Sequence, residues 1–384
     1  MSIPLEPSDD SIRGTDPDLA GDGDLIEITD ADLPSDAYLD AIALSDGMFR
    51  RPSIGPALIW TFLLLASQIA IGLVMTMAAM VYVIATQPGP VDPNRLSKLI
   101  ESAMQGWLLP VASFSTLVVS FTVVLSLFRR QTARCMGLRG LTATQATLIL
   151  LLALPMTVLT SEFTNWVSYL FPRMAMPAIF GDLAKQPWLL IFVAGCLFPG
   201  IGEELFFRGF LSRGLLSYHG AFWGTFFAAF LFGAVHIHPI QASGAFLLGL
   251  ALQFVFLTTR SLWGAVILHT ANNTLAFAAM RYGHLVPING FTVAAEDRIV
   301  HSPALLVLVA LSTSTMLLWA LGRSRTQWIR PDGTVWSRGF VTTESPFDDS
   351  NVRIQHGSVG IMGIVGVLVA YGIFAATLYY SIER

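Results

Sequence analysis

Between residues 187 and 280 the chain carries only five charged side chains: Glu203, Glu204, Arg208, Arg213 and Arg260. Three of them are gathered in Glu203-Glu204-Leu-Phe-Phe-Arg208. The flanking sequence is apolar enough to lie in a membrane. There an ionised side chain at mid-helix costs about 2.5–3.5 kcal/mol even on lenient insertion scales. Two adjacent carboxylates cost more, so the pair points to a functional site. Helix geometry separates them. Glu204 and Arg208 are four apart, share a face and can pair. Glu203 points about 100° away and is left without that partner. The expectation is a structural Glu204–Arg208 ion pair beside a free Glu203 carboxylate, suited to act as a general base.

Two further polar pairs follow, Phe232…His236 and His269…Asn273, each four residues apart in an apolar run. The chain thus offers a carboxylate, two imidazoles and a carboxamide from three separate segments. Amide hydrolysis needs a base, a group that orients water, and donors for a developing oxyanion. Each pair alone has a plainer account, since an intramembrane His or Asn usually serves interhelical packing. The second glutamate is what packing does not explain. Glu162, close to Asn165, is another acid in an apolar run, and nothing in the sequence names its partner. His238 precedes Pro239 and reads as a loop residue, as do His219, His284, His301 and His356.

The elements that position these residues are membrane helices. Charged residues make up 12% of the chain, against about 25% in a soluble domain, so much of the surface faces something other than water. Nine mostly uncharged runs approach membrane-spanning length: 56–86, 103–128, 144–171, 187–216, 221–237, 242–259, 261–281, 303–322 and 358–380. The expected fold is an all-α, polytopic transmembrane bundle of eight or nine spans. Residues 1–50 hold thirteen of the 26 acids and read as a disordered acidic tail. Residues 51–322 form the bundle, with the chemistry at 187–282. Residues 323–357 form a polar, arginine-rich insert in which Pro331-Asp332-Gly333 predicts a hairpin between Trp328 and Trp336. Residues 358–384 hold the final span.

Net charge is −4, which gives no case for nucleic acid. Two cysteines, Cys135 and Cys196, make neither a disulfide framework nor a zinc cluster. Arg50, Arg51, Arg129, Arg130, Arg134, Arg139, Arg213, Arg260, Arg323, Arg325, Arg330 and Arg338 fall on one side if all nine runs cross. The positive-inside rule then puts the N-terminus in the cytoplasm. Trp60, Trp107, Trp188, Trp263 and Tyr379 lie near run ends, as interfacial anchors do.

The order Glu203-Glu204…Arg208, Phe232…His236, His269…Asn273 resembles the CPBP, or Abi, family. That family includes CAAX prenyl endopeptidases and bacterial immunity or peptide-processing proteins. The resemblance covers residues 187–282. It implies a multi-pass protein of a bacterial inner membrane that cleaves a peptide or membrane-protein substrate near the membrane face. It implies that Glu203 and His236 activate water, that His269 and Asn273 hold the oxyanion, and that Glu204 and Arg208 support them. A divalent metal such as zinc stays open. Two histidines and a glutamate can bind it, with Glu203, His236 and His269 the candidate ligands, but no His-Glu-x-x-His helix is present. The alternatives are a non-catalytic scaffold or immunity protein of the same fold, and a proton-coupled transporter. One difficulty is geometric: straight spans would put Glu203, His236 and His269 at different depths. A break at Pro199-Gly200, or different boundaries for the fourth and fifth runs, would remove it.

Overall fold

The computed structural model describes residues 52–86, 92, 96–99, 108–128, 136–174, 184–292, 300–329, 333, 335 and 353–382. The acidic tail, Trp107, Cys135 and the centre of the polar insert lie outside the described residues. The elements are α1 (Ile54–Thr86), α2 (Leu108–Phe128), α3 (Ala143–Leu170), α4 (Trp188–Leu190), α5 (Phe198–Glu204), α6 (Ser212–Ala234), α7 (Pro239–Thr259), α8 (Leu262–Tyr282), α9 (Ala304–Arg323) and α10 (Gly360–Ile382). Two π-helical stretches, Ile191–Leu197 and Leu205–Leu211, flank α5, and two short strands, β1 (Thr326–Ile329) and β2 (Arg353–His356), precede α10. Seven helical stretches among the described residues are long and apolar enough to cross a membrane. The chain is an all-α, multi-pass membrane bundle.

The apolar runs expected from sequence map onto these helices with two differences. Trp188–Ala234 is one 47-residue helical stretch, but Gly220 interrupts it at φ 73°, ψ 179°. Only glycine enters that region cheaply, so the fourth and fifth runs part at this residue. The second difference is α8, which is not among the seven. It is less apolar because it carries His269, Asn272, Asn273 and Arg281.

Packing sets the core. Helix α3 lies against α7, α8 and α9, while α5 is wedged between α2 and α8. Thr142 starts α3 with a reciprocal cap: its hydroxyl accepts from the Gln145 amide N–H, and the Gln145 side chain returns a bond to the Thr142 N–H. This satisfies end donors that lipid could not. Over half of the most apolar window of α3 is buried, against 6% for α1 and 17% for α10. Those two helices therefore give most of their surface to lipid. Trp60 of α1 meets Phe210 edge-on at 5.5 Å.

The polar insert adds a pairing to the expected hairpin. β1 runs antiparallel to β2, with Trp328 opposite Ile354. Ile329 bridges Val335, as the hairpin expects; Pro331, Asp332 and Trp336 lie outside the described residues. The place of β1 is set by tertiary contacts. Trp328 is buried between the guanidinium groups of Arg139, at 4.8 Å, and Arg260, at 4.6 Å, so β1 is held on the α7–α8 turn.

Candidate active site

Helix α5 enters through a π-helical stretch and leaves through another. Such stretches shift the helix face and recur at functional sites. Proline at the start of α5 removes one backbone donor. Residue 199 would have offered its N–H to the carbonyl of Gly195, four residues back. That carbonyl instead accepts from Asn273 Nδ2 at 3.3 Å. Pro199 therefore does not break the helix in two as considered from sequence. The π-helical stretch absorbs it, and a side chain of α8 takes up the carbonyl. Gly200 brings α5 close to α8: a Cβ there would lie 2.3 Å from Thr270 Oγ1.

This close approach brings the two acidic residues to His269. Glu204 is fully buried. Its Oε1 accepts from Arg208 Nη1 at 2.8 Å and from His269 Nδ1 at 2.8 Å. Arg208, also fully buried, donates its other nitrogen Nη2 to the Gly249 carbonyl at 3.0 Å. Its guanidinium lies 4.4 Å from the Phe232 ring centroid. The Glu204–Arg208 pair stands where helix spacing places it. Its full burial makes each partner depend on the other, since a lone buried charge costs several kcal/mol.

Glu203 is different. Its Oε2 is buried and has no hydrogen-bond partner. His269 Nε2 stands 4.0 Å away, too long for a direct hydrogen bond. The site therefore holds two carboxylates side by side: Glu204, with two donors on Oε1 and none on its buried Oε2, and Glu203, with no donor on Oε2.

His236 arrives on the last turn after α6. Its Nδ1 donates to the Phe232 carbonyl at 2.9 Å. A carbonyl only accepts, so Nδ1 carries a proton, and in the neutral ring Nε2 keeps its lone pair. The next residue, Ile237, has φ 58°, a left-handed conformation that a β-branched residue adopts only under strain. Pro239 at the start of α7 explains the abrupt turn, because it holds His238 extended at φ −73°, ψ 121°. The ring of Phe232 meets both imidazoles edge-on, His236 at 5.4 Å and His269 at 5.6 Å. One aromatic side chain thus spaces the two histidines and caps Arg208. Sequence reading named Phe232 without giving it this task. A phenylalanine one turn before a histidine was the available signal.

Residues from α5, α6 and α8 thus meet around Phe232 and His269. The depth problem of straight spans is resolved by the π-helical stretches around α5 and by the end of α6 at residue 234. Among the described residues, no three His, Cys, Asp or Glu side chains are grouped to hold a metal ion. His269 gives Nδ1 to Glu204, and His236 gives Nδ1 to a backbone carbonyl.

Against this geometry, one family model matches: type II CAAX prenyl endopeptidase Rce1-like, over residues 185–275. Residues 185–275 form an Rce1-like domain. The matched segment is similar to CAAX-type membrane proteases, and it contains Glu203, Glu204, Arg208, His236, His269 and Asn273. No curated protein and no solved structure matches the chain.

Outside the Rce1-like domain, Glu162 has found the partners that its sequence did not announce. Its Oε1 accepts from His301 Nδ1 at 2.7 Å, and its Oε2 accepts from the Ser302 N–H at 2.8 Å and from Asn165 Nδ2 at 3.2 Å. His301 is therefore no free loop residue. It packs on Trp166, with centroids 4.6 Å apart. Asn272, next to Asn273, accepts from Thr157 Oγ1 at 3.1 Å and ties α8 to α3.

Proposed function

We propose that this chain is an intramembrane endopeptidase that hydrolyses a peptide bond with a water activated by Glu203 and His236. The observation that carries the reading is the Glu203 carboxylate, partly exposed and with no donor on its Oε2, beside a fully buried Glu204 whose Oε1 already takes Arg208 and His269. A carboxylate enclosed without a donor is poised to take a proton from water. His236 adds a second acceptor, its Nε2 lone pair, to orient that water.

The second half of the chemistry is charge. Attack on an amide carbonyl builds an oxyanion that needs N–H donors. His269 already donates Nδ1–H to Glu204, so it donates through Nε2 only as the imidazolium. In that form Arg208 and His269 balance Glu203 and Glu204, and the four-group cluster is neutral. Asn273 supplies the second donor with the Nδ2 hydrogen that Gly195 does not use. Arg208, Gly249 and Phe232 position Glu204, which in turn positions His269. The residues supporting this reading need no metal. The N-terminal end of α1 is assigned to the cytoplasm of a bacterial inner membrane, following the arginine distribution. The substrate is a peptide or membrane protein, and prenylation is not required by any group described.

The test is cleavage of a quenched fluorescent peptide library by the full chain in lipid nanodiscs. Glu203→Gln and His236→Ala are expected to abolish turnover while binding persists. Undiminished turnover by either variant overturns the mechanism.

A further inference from the structure

A groove separate from the Rce1-like chemistry opens on the lipid-facing side between α7 and α9. It has a volume of about 460 Å³ and is lined by Phe254, Thr315, Leu318, Trp319, Gly322 and Arg323. Its length follows from α9. Residues 315 to 323 cover roughly 12 Å at 1.5 Å per residue, the scale of an acyl-chain segment rather than of a whole helix. Glycine makes the floor: a Cβ at Gly322 would touch only the Phe254 ring, at 3.7 Å. Trp319 forms a wall and reaches Gly363 of α10. The walls are apolar apart from the Thr315 hydroxyl, which donates to Leu311 O at 2.8 Å.

The mouth is cationic. Arg323 is the last residue of the α9 span and the one charged residue lining the groove. Arg325 is exposed just beyond it. Behind them Arg139 and Arg260 stack on Trp328. The described residues hold four acids, Asp92, Glu162, Glu203 and Glu204, and none lies in α9, β1, β2 or the α7–α8 turn. The crowding is felt at Arg260, whose pKa is lowered to about 10 by burial and then by Arg139 and Arg325. An apolar slot that ends at headgroup depth under a cluster of arginines matches one molecule in both parts.

We infer that the α7–α9 groove is a binding site for an anionic phospholipid, one acyl chain lying along Phe254, Leu318 and Trp319 and the phosphate on Arg323. Basic pockets between helices at a membrane face recognise anionic headgroups in this way. A neutral lipid would satisfy the slot but not the arginines. A soluble anion would satisfy the arginines but not the slot.

The probe is native mass spectrometry of the full chain released from nanodiscs of equal phosphatidylglycerol and phosphatidylcholine. Selective retention of one phosphatidylglycerol is expected. Arg323→Gln should lower that selectivity about fivefold, the effect of one surface charge, and Arg323→Lys should preserve it. Gly322→Leu, which fills the slot, should release both lipids. Thermal melting of each variant separates lost binding from lost folding. Equal retention of the two lipids overturns the site. So does a drop with Arg323→Gln that Gly322→Leu fails to reproduce in a folded protein, since charge alone would then hold the lipid. Peptide cleavage plays no part in these measurements, so their outcome is independent of the proposed protease chemistry.

Discussion

Glu162 and Glu203 are both carboxylates set among apolar helices, and each has an imidazole close by. Around Glu162 every oxygen is used: His301, a backbone N–H and Asn165 all donate to it. Around Glu203 one oxygen is enclosed without a donor, and the imidazole stops 4.0 Å short. A satisfied carboxylate gains stability from its bonds and has nothing left to offer a substrate. An unsatisfied one costs stability, roughly 1–3 kcal/mol for a buried group, and keeps its basicity available. Burial of an acid does not by itself separate the two clusters; the count of donors on its oxygens does.

The contrast is broken most severely by exchanging the fates of the two acids. Glu203→Gln is expected to lower kcat by about 10²–10⁴, the usual worth of a general base, with the melting temperature unchanged or raised. Glu162→Gln is expected to leave kcat unchanged. If the two variants lose activity equally, the division between satisfied and unsatisfied carboxylates is wrong. The next effect is on stability. Arg208→Met should destabilise the fold by about 3–5 kcal/mol, because Glu204 would be left buried without its cation. A thermal shift assay in detergent reads this loss, and the double variant Glu204→Gln with Arg208→Met should recover most of it.

A finer test concerns the shared amide. Asn273→Asp keeps the size of the side chain and removes its donors. A fall in kcat of about 10²–10³ with little change in KM is expected if this amide meets the oxyanion. A fall in melting temperature alone would mean that its task is the Gly195 carbonyl freed by Pro199. Glu162→Gln should then cost about 1–3 kcal/mol of stability through the disturbed bonds to His301 and Ser302. The smallest expected effect is none: a strong chelator should leave cleavage unchanged, because among the described residues no three His, Cys, Asp or Glu side chains are grouped to hold a metal ion. Chelator-sensitive turnover restored by zinc would reverse that reading.

How much was legible in advance differs by residue. The Glu204–Arg208 pair needs only helix periodicity, and it stands at 2.8 Å. The fourth and fifth apolar runs were separable in the sequence, and Gly220, which lies between them, carries the backbone angles that part them. The partners of His301 and Glu162 were not legible. They are 139 residues apart, and no local pattern links a loop to a helix at that separation. The pairing of β1 with β2 was not legible for the same reason. The Pro-Asp-Gly turn is local and visible, whereas the burial of Trp328 between Arg139 and Arg260 is neither. The acceptor for the Asn273 amide lay between these cases. Proline four residues after Gly195 announces a carbonyl without its donor, but not which helix will answer it.

The sequence by itself determined the solvent, the helices and the short list of polar side chains. Hydropathy, periodicity and the cost of charge in lipid are properties of chain segments, and they need no knowledge of neighbours. Tertiary structure alone decided that His269 would bond Glu204 rather than Glu203, and that Phe232 would space two imidazoles and cover a guanidinium. Those outcomes depend on π-helical shifts and close helix approaches of an ångström or two. A hydrogen bond is made or lost over that distance, and the spacing of letters along a chain does not encode it.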